Sequence, residues 1–173
     1  MFDTIKFSEQ WETNVGLRYD NYRVSSGGAD RTDDMWNYQL GLVYKPAPNG
    51  SIYVSYGTSS NPSGETAGQS GGADGAAGGR LTSATAALAP EKSRSIELGT
   101  KWDLFDERLS LTGAVFETRK TDARSADPLT GDITLAGSNR VRGVELSAAG
   151  SITRKWQVWA GYSYMDPTVT NYT

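Results

Sequence analysis

The sequence predicts an all-β fold: an antiparallel up-and-down meander of about eight long strands, a partial transmembrane β-barrel. Three observations carry that expectation. The first is two-residue alternation. In Trp36-Asn37-Tyr38-Gln39-Leu40-Gly41-Leu42-Val43-Tyr44-Lys45 the even positions are large and apolar or aromatic, and the odd ones are mostly polar or small. The same comb returns in 95–102, 109–115 and 156–164. It gives strands with one greasy and one wet face, of about ten residues each, the length a tilted strand needs to cross a bilayer. The second is that short and long connections alternate, as periplasmic turns and extracellular loops do in such barrels. The third is a double belt of aromatics. On the apolar parity Trp11, Tyr44, Trp102 and Trp156 fall beside the short turns, and Tyr19, Trp36, Tyr56 and Tyr164 fall toward the long loops. Two such belts are the girdles that flank a lipid-facing band.

The strands are expected near 1–7, 11–24, 34–46, 51–58, 92–104, 109–122, 139–151 and 156–165. Ser8-Glu9-Gln10, Ala47-Pro48-Asn49-Gly50, Phe105-Asp106-Glu107-Arg108 and Thr153-Arg154-Lys155 are tight turns, built from Pro, Asn, Gly and charged residues suited to hairpins. Longer connections are expected around Ser25-Ser26-Gly27-Gly28, from Ser59 to Glu91 and from Ala123 to Ser138. The Gly-rich run Ser70 to Arg80 lacks the Gly-Lys-Ser/Thr of a phosphate loop and reads as a flexible loop.

Composition narrows the chemistry. The 173 residues include no cysteine and no histidine, which removes disulfide scaffolds, Cys nucleophiles, His-dependent triads and zinc sites built on either residue. A net charge of -3 and a pI near 5.0 argue against a nucleic-acid partner. No apolar run approaches eighteen residues, which excludes a spanning helix but not a barrel, whose polar inner face dilutes the mean hydropathy of -0.51. Asp20, Asp30, Asp33 and Asp34 do not fit a calcium-loop spacing and read as a solvated charge cluster. No metal site, cofactor or catalytic residue is expected, and the chain is not read as an enzyme.

Opposite the apolar comb sit Glu12, Asn14, Arg18, Asp20, Asn37, Gln39, Glu97, Lys101, Ser110, Thr112, Lys120, Glu145 and Gln157. Charges at that density cannot fill a closed eight-stranded core. A wide, wet or plugged lumen is expected, hence a barrel of many more strands. With short turns on the periplasmic side, both chain ends fall on the extracellular side, and the chain is expected to be a piece of a larger barrel.

The run Leu88-Ala89-Pro90-Glu91-Lys92-Ser93-Arg94-Ser95-Ile96-Glu97-Leu98-Gly99 resembles the Pro-Glu-Lys-Ser segment of TonB-dependent siderophore receptors. Trp102 to Thr112, Arg142-Gly143-Val144-Glu145-Leu146 and Gly161-Tyr162-Ser163-Tyr164-Met165-Asp166 are similar to that family's following strands. Phe2 to Phe7 and Trp11 to Asp20 are most like its catecholate and hydroxamate receptors. The resemblance implies a bacterial outer-membrane barrel of about twenty-two strands closed by an N-terminal plug and importing ferric siderophores with energy from TonB. Residues 1–173 would then be a partial barrel domain, with the plug and the C-terminal strands absent. The transported iron–siderophore complex is the expected ligand, TonB a partner through the missing plug, and outer-membrane lipid and lipopolysaccharide the surroundings.

Anionic, aromatic ferric catecholates call for Arg, Lys and aromatic groups near the extracellular mouth. The candidates by inward parity or loop position are Tyr22, Arg80, Lys120, Arg124 and Arg140. Against each stands the plainer reading of a solvated loop charge or a contact to lipopolysaccharide. Two other classes fit less of the pattern: a small autonomous outer-membrane barrel, structural or enzymatic, and a soluble β-sandwich binding module.

Overall fold

The computed structural model describes residues 1–26, 29–62, 88–126, 133–135, 137–153 and 155–170. The main sheet has eight strands in the order β1 (Phe2–Lys6), β2 (Trp11–Ser26), β3 (Ala29–Ala47), β4 (Gly50–Asn61), β5 (Glu91–Leu104), β6 (Leu109–Thr121), β9 (Ser138–Thr153) and β10 (Trp156–Thr170). Every neighbour pair is antiparallel, so the expected meander is the observed one. Two short strands, β7 (Arg124–Ala126) and β8 (Ile133–Leu135), pair with each other inside the connection between β6 and β9. No helix occurs among the described residues.

The register fixes the two faces. Reading across the sheet, Thr13, Leu42, Val54, Leu98, Val115, Val144 and Tyr164 are successive Cα partners. They form one row of an apolar face on which Leu17, Leu40, Ile96, Leu111, Leu146 and Val158 are also exposed. The alternate face is the sheltered one. There Gly16, Met35, Asn37, Gly41, Glu91, Gly99 and Gly143 are buried, and the expected polar residues line up. An exposed apolar face backed by a sheltered polar face is an inverted soluble sheet, which is the arrangement lipid outside and water inside require.

Both aromatic belts lie on the outer face. Trp11 and Tyr44 meet at 4.6 Å between ring centroids near the short turns, and Tyr19 and Trp36 at 4.8 Å toward the other end. The belts step down the sheet from β2 to β10. Trp11 pairs with Tyr44, and this row reaches β5 at Thr100, whereas the β5 belt residue Trp102 lies one row lower. A belt level with the membrane but oblique to the hydrogen-bond rows is the signature of tilted strands.

The structure departs from expectation at the long-loop end. The loop expected around Ser25–Gly28 is largely strand: β2 and β3 pair without interruption from Trp11↔Tyr44 to Ser26↔Ala29. At 16 and 19 residues these strands reach roughly 50–60 Å, well beyond a bilayer, so the hairpin stands clear of the membrane. Its polar outer positions gave no apolar comb to read. In the β5–β6 turn Phe105, Asp106 and Glu107 all have positive φ (55°, 55° and 62°), a left-handed path without glycine that closes the hairpin through Arg108 N–H donating to Phe105 O.

Candidate functional site: the inner face at the long-loop end

The inner face carries polar networks that cross from strand to strand. Arg18 on β2 pairs with Asp20 at 2.7 Å, Asn37 on β3 donates to Asp20 at 3.5 Å, and Ser60 on β4 donates to Asn37 at 3.1 Å. Farther round, Lys120 Nζ on β6 lies 2.9 Å from Glu91 on β5, and Asn61 on β4 donates to the same carboxylate. Lower down, Tyr53 donates to Glu97 at 2.7 Å and Lys45 pairs with Glu12 at 3.1 Å. Apart from Arg18–Asp20, which lies within β2, each link joins adjacent strands, so these groups are satisfied within the wall and still border a wet interior.

Of the five candidates, two stand on this face. Tyr22 is the cross-strand partner of Asp33, which Arg31 grips through two nitrogens, high on the β2–β3 hairpin. Lys120 stands at the top of β6, held by Glu91. The two sites lie on separate parts of the wall, four strands apart in the sheet. Arg80 lies outside the described residues, and of Arg124 only the backbone, at the start of β7, is described. Arg140 corrects the expectation of an inward parity: it shares the parity of Arg142, Val144 and Leu146 and is the Cα partner of outward-facing Arg119. Its face was legible by counting back in twos from Val144; its neighbours were not.

The acidic cluster also resolves. Asp20 and Asp33 point inward onto arginines, whereas Asp34 points outward and accepts from Tyr19 and Asn21 at 2.6 and 2.7 Å. The Tyr19 hydroxyl, with the Asn21 amide, holds the Asp34 carboxyl below the usual carboxylate range. The alternation that turns neighbouring aspartates to opposite faces prevents them from sharing a cation. Among the described residues no cluster of acidic side chains is arranged to hold a metal.

Comparison with known proteins agrees with this architecture. The family model for the β-barrel of TonB-dependent receptor-like proteins matches residues 1–173. The chain is 45% identical to the probable TonB-dependent receptor BfrD of Bordetella pertussis, over 95% of this chain and 23% of that protein. It is 36% identical to the probable TonB-dependent siderophore receptor PiuA of Acinetobacter baumannii, over 98% of this chain and 23% of that one. Among solved structures, the closed form of the ferric-catecholate import receptor Fiu from Escherichia coli superposes with a TM-score of 0.76 at 30% identity, over 98% of this chain and 27% of that one. The chain thus spans about a quarter of the length of the relatives it matches. Lipid-facing outer residues, a polar inner wall and the match along all 173 residues converge: the chain belongs to the TonB-dependent receptor β-barrel family of the bacterial outer membrane.

Proposed function

We propose that this chain forms part of the barrel wall of a receptor that imports ferric siderophores, with a plug domain and further barrel strands outside residues 1–173. The relatives named as siderophore receptors support the substrate class. The sheet itself supports the larger barrel: β1 and β10 are its outermost strands, and each leaves one edge without a partner among the described residues. An open edge in hydrocarbon leaves a row of N–H and C=O groups without hydrogen bonds, so further strands must close the wall.

The observation that carries the functional reading is the polar inner face at the long-loop end. In this reading Lys120 and Tyr22 face the vestibule through which an anionic, aromatic complex descends. Lys120 draws the complex by charge and Tyr22 offers a ring and a hydroxyl, with Arg124, at the start of β7, and Arg80, between β4 and β5 in the sequence, as further cations. Import is driven by TonB acting through the plug, and no covalent chemistry is required of the wall. The test is uptake of labelled ferric siderophores by iron-limited cells that depend on the receptor carrying these strands. Uptake of a catecholate or hydroxamate complex, reduced in Lys120→Ala and Tyr22→Ala variants that still fold, supports the proposal. Uptake of a saccharide or a cobalamin and of no ferric siderophore overturns the substrate assignment.

A further inference from the structure

On the outer face, the register sets Arg94, Arg119 and Arg140 directly opposite one another on β5, β6 and β9. Like charges in direct cross-strand contact destabilise a sheet, so such an alignment costs stability unless a counter-charge lies over it. The protein supplies only part of one. Glu117 takes both Arg119 and Arg142, but Arg94 has no hydrogen bond or ion pair among the described residues, and Arg140 Nε is buried with no acceptor. Lys92, two residues above Arg94 on the same face, extends the basic stripe. The carboxylates bordering it are Glu117, Asp166 opposite Arg142, and Asp34 across a groove, which already accepts from Tyr19 and Asn21.

The height of the stripe is the second observation. At β4 the upper aromatic belt is Tyr56, whose partner on β5 is Ile96; at β10 it is Tyr164, opposite Val144. Arg94 stands two residues above Ile96, and Arg140 four above Val144, about 7 and 13 Å along the strands. The cations therefore sit just outside the lipid-facing band, at the depth of headgroups. Beside them the pairing of β3 with β4 ends at Gln39↔Gly57, and above it a groove of about 660 Å³ opens. Trp36, the stacked pair Tyr38 and Tyr56, Lys92, Arg94 and Arg119 line it. Below lie Leu40, Val54, Leu98 and Val115. Cations over aromatics over an apolar wall match an amphiphile with phosphates on its head and acyl chains beneath.

We infer that Arg94, Arg119 and Arg140 form a binding site for the phosphates of lipopolysaccharide in the outer leaflet, with the Tyr38–Tyr56 groove receiving the sugar backbone and upper acyl chain. Guanidinium groups suit this role because they meet phosphate oxygens through two parallel N–H donors and keep their charge at every accessible pH. The site faces away from the lumen and is independent of what the receptor transports.

The test uses the whole receptor purified in detergent with EDTA, which strips lipid held only through divalent-cation bridges to Glu117 or Asp166. Lipid A retained per receptor should fall roughly tenfold or more in R94Q/R119Q/R140Q, the loss expected from removing charge-assisted contacts. A K45Q/K101Q variant, altered on the inner face near the short turns, should retain the wild-type amount. Heat-modifiable electrophoretic mobility verifies folding. A rebinding arm on delipidated wild-type receptor needs no variant: diphosphorylated lipid A should bind, and dephosphorylated lipid A and phosphatidylglycerol should not. Wild-type retention by the triple variant, or equal rebinding of dephosphorylated lipid A or of phosphatidylglycerol, overturns the inference.

Discussion

The ring of Tyr53 lies over Gly99: a Cβ placed on that glycine would meet the ring at 2.4 Å, and the same tyrosine donates its hydroxyl to Glu97 two residues away. The aromatic side chain fills the gap left by the glycine on the neighbouring strand, and its hydroxyl ties it down on a wet face. Phe2 over Gly16 and Phe116 over Gly143 repeat the arrangement on the inner face, and Trp102 over Gly50 on the outer.

Gly99→Val should therefore cost about 1–3 kcal/mol, because the Tyr53 ring has to leave its place and the Glu97 contact with it. Gly57→Ala is the control, since nothing lies within 4 Å of its added Cβ. There the substitution should be neutral or stabilising by about 0.5–1 kcal/mol, as glycine is a poor strand residue. Urea titrations of the receptor in detergent, followed by tryptophan fluorescence, separate the two.

Leu98→Arg should destabilise insertion by about 2–4 kcal/mol, because Leu98 lies on the lipid face inside the band between Trp102 and the Tyr56 level. Leu111→Arg should cost only about 0–1 kcal/mol, since its partner Trp102 already marks the interface. Thr112→Arg, on the inner face beside Ser147, should be mild for a different reason: it enters water. Folding yields in bilayers of defined composition should rank Leu98→Arg clearly lowest, and equal yields for all three would contradict the assignment of faces.

Lys120→Ala removes the cation that, together with the Asn61 amide, holds Glu91, a carboxylate only 5% exposed. A cost of about 1–3 kcal/mol is expected, largely the penalty of an under-satisfied buried carboxylate. Adding Glu91→Ala should recover part of it. A double-mutant cycle on unfolding free energies measures the coupling, and additive losses would show that the pair does not act together.

Removing about twenty residues between Asn61 and Arg80 should leave the barrel folded, since shortening a long connection about threefold changes closure entropy by only about 1 kcal/mol, and in the favourable direction. The β4–β5 ladder up to Asn61↔Glu91 is untouched. Ferric-siderophore uptake should nonetheless fall if the connection helps capture the complex. Normal uptake in iron-limited cells, with heat-modifiability intact, would take the connection out of the mechanism.

The sequence by itself determined which way each side chain faces. Side chains alternate strictly along a strand, so Leu111 and Ser110, or Leu98 and Glu97, had to lie on reverse sides once one row was apolar. It also placed the short turns, through Pro48, Asn49 and Gly50, and the Pro90-Glu91-Lys92-Ser93 entry into β5. The extent of the β2–β3 hairpin was not legible, because beyond the membrane neither face needs to be apolar and Asp30 to Asp34 look like a loop. The β7–β8 pair was hidden for the same reason. Above all, parity says which face a residue occupies but not which residue stands beside it on the next strand. Arg94, Arg119 and Arg140 are 25 and 21 positions apart in sequence and become neighbours only through the registers of β5 with β6 and of β6 with β9. Those registers are set by turn geometry and by packing rows of side chains against one another, so the arginine row exists only in the folded sheet.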